Sequence, residues 1–189
     1  GNWKMNKTSA EAKEFALETK ELVELASKNN IDIGVAPTYL SLAAVKENAD
    51  KRMIVAAQNC HFNDHGAFTG EISIPMLQEF GIDWVLIGHS ERRAYDNETN
   101  FKCHEKIKAL LANKMVPVYC VGETLSEFEA GETKDVVSAQ VKQGLEGFSA
   151  EEVKDIVIAY EPVWSIGTGK NASTEIAQDV CGFIRNILR

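Results

Sequence analysis

Short apolar segments alternate with amphipathic segments along this chain, and that alternation constrains the fold more than any other feature. Apolar segments predict six strands, of which the first is the tail of a strand, at residues 1–5, 31–36, 53–57, 84–87, 116–121 and 156–160. Amphipathic segments predict six helices, at residues 12–26, 40–47, 73–80, 101–113, 134–145 and 174–188. Because the strands are apolar on both faces, we expect an α/β protein with a parallel sheet covered by helices.

Two α/β architectures fit this order, the doubly wound sheet and the (β/α) barrel. A dinucleotide-binding doubly wound fold requires Gly-x-Gly-x-x-Gly after the first strand, and this chain has no such turn. The Gly-Thr-Gly-Lys at 167–170 is not a Walker loop, because Trp164 replaces its leading glycine and Asn171 its final Ser or Thr. Polar residues instead cluster after the strands, which favours a barrel with its site at the C-terminal face.

Composition and charge limit the kinds of molecule that this chain is expected to bind. The 189 residues suit one domain, or at most two small ones, and 44% of them are hydrophobic. A net charge of −8 argues against a nucleic-acid or anionic-membrane surface, while a local cationic pocket for a phosphorylated metabolite stays compatible with it. No apolar run reaches the length of a membrane-spanning helix, about 18 residues. Free thiols in a reducing compartment are expected, because no CxxC pair occurs among Cys60, Cys103, Cys120 and Cys181.

The segment after the last predicted strand carries the strongest catalytic signal. Glu161 stands at the tip of strand 156–160, and Pro162 ends the strand there. The following loop contains one bulky residue, Trp164, and two glycines, Gly167 and Gly169. A carboxylate beneath such a loop is typical of a general base under a lid, although a solvated loop acid beside ordinary turn glycines has the same pattern.

Three further residues stand near strand tips. Lys4 suits a site for a phosphate or a developing oxyanion, or is a surface lysine at a strand end. His89 follows Gly88 and precedes a possible helical turn, where the helix dipole favours the neutral imidazole that polarises a carbonyl; a structural histidine fits equally. Cys120 lacks a neighbouring histidine or cation in sequence, which favours a buried packing thiol over a nucleophile.

Metal binding is not predicted. The candidate clusters combine Cys60 with His61 and His65, and Cys103 with His104. Neither has the spacing of a four-ligand site.

Five motifs, taken together, resemble the triosephosphate isomerase family, and the resemblance covers the whole chain. These motifs lie at residues 1–6 (Gly-Asn-Trp-Lys-Met-Asn), 66–71 (Gly-Ala-Phe-Thr-Gly-Glu), 87–93 (Ile-Gly-His-Ser-Glu-Arg-Arg), 120–123 (Cys-Val-Gly-Glu) and 159–170. The resemblance implies a (β/α)8 barrel of which about six βα units are present, with residues 1–189 as a single incomplete barrel domain. It also implies interconversion of dihydroxyacetone phosphate and glyceraldehyde 3-phosphate through an enediolate, as part of glycolysis and gluconeogenesis, without metal or cofactor.

The resemblance also assigns roles to individual residues. Glu161 would be the base, His89 the electrophile and Lys4 the cation that stabilises negative charge. The remaining assignments comprise substrate binding by Asn2, Trp3, Lys4 and Gly167, support by Ser90, Glu91 and Cys120, and a lid at 162–172 that includes Pro162, Val163, Trp164, Ile166 and Gly169. Thr69, in the loop at 59–72, would reach a partner subunit, so a cytoplasmic homodimer is expected.

Family barrels are longer than this chain, about 250 residues. We therefore expect a partial sequence of a complete enzyme that lacks the start of strand one and the last two βα units. Two other readings remain: a different phosphate-binding barrel enzyme, or a truncated and inert chain that acts only as a binding or surface protein. An isomerase assay separates them.

Overall fold

The computed structural model describes residues 1–189, and the chain forms two compact units. The first comprises Gly1–Leu86 with Ala112–Val116, and the second comprises Ile87–Leu111 with Pro117–Arg189. The first unit holds three strands that pair in parallel and in chain order, and the second unit holds two strands that pair in parallel. The α/β class with a parallel sheet is thereby confirmed. All ten helices fall short of the length and apolarity that a bilayer crossing requires.

The first unit contains the first three strands and four helices. These are α1 (Ser9–Glu18), α2 (Lys20–Lys28), β1 (Gly34–Val35), α3 (Tyr39–Asn48), β2 (Ile54–Ala57), α4 (Ile74–Glu79) and β3 (Trp84–Ile87). A capping box starts α1: the Thr8 hydroxyl accepts from the Glu11 amide, and the Glu11 carboxylate accepts from the Thr8 amide. Helix α1 packs on α3, and α3 packs on β2.

Two elements of the first unit differ from the prediction. The segment 1–5 contributes a single parallel bridge between Asn2 and Ala36, because the backbone turns at Lys4, where φ is 52°. Five strands and one bridge therefore replace the six predicted strands. The predicted helix 12–26 is divided into α1 and α2 at Thr19, whose hydroxyl donates to the Phe15 carbonyl and so competes with the helical pattern.

The second unit carries the last two strands and six helices. They are α5 (Ser90–Tyr95), α6 (Asn100–Ala112), β4 (Val116–Val121), α7 (Leu125–Glu129), α8 (Thr133–Gly144), α9 (Ala150–Lys154), β5 (Val157–Tyr160) and α10 (Thr174–Ile187), with a 3-10 turn at Val163–Ser165. The sequence did not predict α7 and α9, which are too short to show helical periodicity. Both start with a capping box, Thr124 with Glu127 and Ser149 with Glu152, and that motif was readable in the sequence.

Strand β5 is more exposed than its sequence suggests. A buried strand was expected there, and the expectation is wrong: Val157 is 40% exposed, and the other three residues are partly exposed. The reason is topological, because β5 is the last strand in the sheet order and pairs only with β4. An edge strand has one row of backbone groups without a strand partner.

Candidate active site

His89 is held at the start of α5 by its own ring. It follows Gly88, where φ is 75°, and it is the N-cap residue of α5. Its Nδ1 atom accepts a hydrogen bond from the Glu91 amide at 3.2 Å. A ring nitrogen that accepts carries no proton, so this bond assigns the neutral tautomer with its proton on Nε2. The side chain is almost fully buried, with only Nε2 left to act as a donor.

Glu161 reaches the same place from β5. The parallel ladder with β4 extends one step beyond the strand, because the Glu161 amide donates to the Val121 carbonyl at 2.8 Å. Its Oε1 atom accepts from the Ser90 amide at 2.7 Å, and its Oε2 atom lies 3.1 Å from Nε2 of His89. The fold thus brings together a carboxylate and an imidazole that are far apart in sequence.

This pair can move protons. A carboxylate within reach of a substrate carbon accepts a proton from it, and a neighbouring N–H polarises the adjacent oxygen. Glu91 lies on the other side of the ring, with Oε2 3.6 Å from Nδ1 of His89. Both ring nitrogens therefore have an acidic residue nearby, and only the contact through Nε2 involves Glu161.

A second carboxylate, Glu123, anchors the segment that follows Glu161. Its side chain is fully buried and accepts from the Trp164 indole at 2.9 Å and from the Thr133 hydroxyl at 3.2 Å. The Tyr160 hydroxyl donates to it at 3.1 Å, and burial together with the Glu123 charge raises the pKa of Tyr160. Sequence reasoning assigned no role to Glu123, although an acid after a buried strand was a usable signal.

The predicted lid begins at this anchor. Pro162 precedes the 3-10 turn, in which Trp164 stacks on Phe128 with ring centroids 4.3 Å apart. The Thr168 hydroxyl donates to the Trp164 carbonyl at 2.7 Å. Beyond the turn, Gly167 and Gly169 are exposed and have φ angles of 68° and 74°, values that glycine adopts without strain. Val163 and Ile166 lie at the two ends of this turn and are half-buried.

Cys120 lies on β4 in the interior of the second unit. It is 5% exposed, and its thiol is directed to the Val118 carbonyl at 3.8 Å. Burial raises the pKa of Cys120 to about 12, and the negative charge of Glu161 adds to the shift. A thiol in this environment stays protonated and is a poor nucleophile.

The remaining predicted residues belong to the first unit. The Lys4 amide donates to Oδ1 of Asn2 at 2.9 Å, and the Lys4 carbonyl accepts from the Gln58 side chain at 2.9 Å. These two bonds stabilise the left-handed backbone of Lys4, which costs a non-glycine residue roughly 1 kcal/mol or more. Trp3 packs edge-on against Phe15, with centroids 5.0 Å apart.

Thr69 also belongs to the first unit. It lies in the loop at 59–72 and its side chain is exposed.

Comparison with known proteins identifies the family. A family model described as triosephosphate isomerase matches residues 1–189. The chain belongs to the triosephosphate isomerase family. It is 49% identical to the triosephosphate isomerase of Carboxydothermus hydrogenoformans, over all of this chain and 74% of that protein. It is 47% identical to the triosephosphate isomerase of Alkaliphilus metalliredigens, over all of this chain and 75% of that protein, and 47% identical to that of Streptococcus mutans, over 98% of this chain and 73% of that protein.

The cysteines of this triosephosphate isomerase family member differ in accessibility, which predicts their reactivity. Cys60, Cys103 and Cys120 are buried, whereas Cys181 is exposed on α10. We expect a thiol reagent to modify one cysteine per native chain rapidly and all four after denaturation. Mass spectrometry of labelled peptides checks this, and Cys181→Ser should abolish the rapid phase. Rapid native labelling of Cys120 would contradict the burial.

The same buried thiols predict alkaline destabilisation of this family member. Burial raises the pKa of Cys103 to about 11 and that of Cys120 to about 12, from an ordinary value of 9.0. The unfolded chain therefore loses these protons first, so the stabilisation is complete below pH 9 and declines toward pH 11 to 12.

Because these two thiols ionise in the unfolded chain first, we expect the free energy of unfolding to fall by about 1 to 2 kcal/mol between pH 9 and pH 10. Denaturant unfolding at pH 8, 9 and 10 measures this loss. The decline should be smaller in Cys103→Ala than in Cys181→Ala, in which the buried thiols are intact. An equal decline in the two variants would exclude the Cys103 thiol as a source of it.

Proposed function

We propose that this chain acts as a triosephosphate isomerase, which interconverts dihydroxyacetone phosphate and glyceraldehyde 3-phosphate. The observation that carries the proposal is the 3.1 Å contact between Glu161 Oε2 and His89 Nε2, in a chain that matches the family over its whole length. Family membership supplies the reaction, and this contact supplies a base and an electrophile for it.

In the proposed mechanism Glu161 is the general base. Its carboxylate removes a proton from the carbon next to the substrate carbonyl, and the resulting negative charge moves to the carbonyl oxygen to form an enediolate. The proton of the substrate hydroxyl then passes to the former carbonyl oxygen. The same carboxyl group returns a proton to the neighbouring carbon, and the hydroxyl oxygen becomes the carbonyl oxygen of the aldose. The Ser90 amide supports this role, because its bond to Oε1 holds the carboxylate beside the imidazole.

His89 is the proposed electrophile. The Glu91 amide occupies Nδ1, so the neutral ring offers its single proton at Nε2. A donor already directed at the developing oxyanion needs little reorganisation during the reaction. Glu91 and Cys120 are proposed as supporting residues, Glu91 because of its proximity to the ring and Cys120 because it fills the interior beneath the strand tip.

Substrate binding is proposed to involve Asn2, Trp3, Lys4 and Gly167. Triose phosphates are dianionic near neutral pH, whereas the chain has a net charge of −8, so binding needs a local cation. Lys4 is the proposed cation, and the bond from its amide to Asn2 supports a paired role for these residues. The exposed Gly167 amide is the proposed phosphate donor on the lid.

Residues 162–172 are proposed to close over the substrate. The buried contact between Trp164 and Glu123 supports an anchored first end, and the exposed glycines Gly167 and Gly169 support a mobile tip. Closure would exclude water, which strengthens electrostatic interactions and protects the enediolate.

The larger assembly is also part of the proposal. Residues 1–189 are proposed to form one incomplete domain of a (β/α)8 barrel, since the family model covers them without a break. A homodimer is proposed through the loop that contains Thr69, which is exposed.

A cytoplasmic location is proposed because all four cysteines are free thiols.

The test is an isomerase assay on the natural protein, with glyceraldehyde 3-phosphate as substrate and proton NMR to identify dihydroxyacetone phosphate. We expect turnover that disappears in Glu161→Gln, which cannot accept the proton. Absence of turnover in the folded natural protein would overturn the proposal in favour of an inert binding protein. No observation in the structure favours that alternative or a different barrel enzyme.

A further inference from the structure

Gly122 has two backbone groups that the strand ladder leaves unpaired. On either side of it, the Val121 carbonyl accepts from the Glu161 amide and the Glu123 carbonyl accepts from the Val163 amide, at 2.8 and 3.1 Å. Backbone groups alternate in direction along a strand, so the amide and carbonyl of Gly122 face away from β5. Gly122 is partly buried, and backbone groups withdrawn from water need a partner from elsewhere.

The side chain of Gln140, on α8, supplies both partners. Its Oε1 atom accepts from the Gly122 amide at 2.8 Å, and its Nε2 atom donates to the Gly122 carbonyl at 3.1 Å. The two bonds fix the orientation of the amide, because a flipped group would face donor with donor and acceptor with acceptor. The Gln140 carbonyl accepts from the Tyr119 hydroxyl at 2.8 Å, which ties α8 to β4 at a second point.

Gly122 in turn lies directly against the backbone of Glu161. A Cβ atom on Gly122 would be 1.7 Å from the Glu161 carbonyl oxygen. At this distance the position of one backbone determines the position of the other. A shift of Gly122 toward or away from α8 therefore moves the residue that carries the catalytic carboxylate.

We propose that Gln140 is a positioning residue for Glu161. Its side-chain amide bonds to the Gly122 amide and carbonyl as a neighbouring strand would, and so fixes the position of Gly122. Gly122 in turn fixes the position of the Glu161 backbone, and with it the distance between the Glu161 carboxylate and His89. The inference rests on the proposed function, and it extends the site to a residue of α8 that touches no reacting atom. Errors of about 1 Å in placing a reacting group cost roughly 100-fold in rate, so such support has a measurable effect.

The first test compares Gln140→Leu with Gln143→Leu in the natural protein. Gln143 lies one turn further along α8, is exposed, and accepts from the side chain of Asn100. We expect Gln140→Leu to lower kcat about 10- to 100-fold, with KM within about twofold of the wild-type value. The control should keep the wild-type kcat. Thermal unfolding of both variants establishes that the assay temperature lies well below their melting temperatures.

The second test separates positioning from general stability. In Gln140→Glu one carboxylate oxygen still accepts from the Gly122 amide, while the other, when ionised, repels the Gly122 carbonyl. Protonation restores a donor at that position. We therefore expect the ratio of variant to wild-type kcat to rise as the pH falls from about 8 to 5.5. Groups shared by both proteins, including Glu161 and His89, cancel in this ratio.

The outcomes distinguish failure of the positioning role from failure of the proposed function. If the wild-type protein and Gln143→Leu are active and Gln140→Leu is equally active, the positioning role is wrong while the isomerase function stands. A pH-independent ratio for Gln140→Glu, with a lowered melting temperature, assigns Gln140 a structural role only and also overturns the inference. An inactive wild-type protein overturns the proposed function and the inference together.

Discussion

Replacing Glu161 with aspartate is expected to lower kcat by about two to three orders of magnitude while KM stays near the wild-type value. The substitution keeps the carboxylate but withdraws it by one methylene, a displacement of more than 1 Å from the substrate carbon. Substrate binding depends on other residues in the proposed mechanism, so the loss should appear in kcat alone. Steady-state kinetics in both directions measure it.

Glu129→Asp is the matched control for this experiment. Glu129 ends α7, is exposed, and undergoes the same chemical change. It should show wild-type kinetics. Wild-type kcat in Glu161→Asp would remove Glu161 as the base. Equal losses in both variants would indicate a general effect of shortening an acidic side chain.

Replacing Gly122 with alanine is expected to destabilise the protein by about 3 kcal/mol and to abolish most of the activity. The new methyl group would require about 1.7 Å between its carbon and the Glu161 carbonyl oxygen, so β4 and β5 must separate at this point. Overpacking in a well-packed interior costs typically 1 to 3 kcal/mol, and here the obstructing atom is backbone and cannot rotate away. For a chain of this size the melting temperature should fall by about 6 to 12 °C.

The same substitution at Gly182 should have the opposite effect and stabilise the protein. Gly182 lies inside α10, and a Cβ atom there would meet nothing within 4 Å. Alanine is favoured over glycine in a helix interior by roughly 0.5 to 1 kcal/mol. Differential scanning calorimetry of the two variants provides the comparison. An unchanged melting temperature for Gly122→Ala would show that the strand tips can separate at little cost.

The sequence predicted the elements of the site better than their arrangement. Glu161 at a strand tip and His89 before a helical turn followed from local signals, namely a proline after an apolar run and a glycine before a polar group. Their contact did not, because it joins the N-cap of α5 to the residue after β5, and the register between β4 and β5 sets where Glu161 lies. Register is a property of the packed sheet and has no local signature here.

Tertiary surroundings account for the other differences. Glu123 follows a buried strand, which is a local signal, but its role as an anchor depends on the hydrogen bonds that it accepts from Tyr160 and Trp164 in the folded protein. Gln140 is similar, since a polar residue within an amphipathic helix normally faces solvent. The apolar composition of β5 predicted a strand correctly but not its exposure, because burial depends on the number of neighbouring strands.

The agreement between strand order and chain order has a consequence for how the protein is made. Within the first unit each strand pairs with the one synthesised before it, so β2 can pair with β1 and β3 with β2 while the rest of the chain is still being translated. Ribosomes add about 5 to 20 residues per second, slowly compared with the pairing of neighbouring segments. The nascent chain can therefore assemble progressively from its N-terminal side, with Glu161 reaching His89 only after four strands are in place.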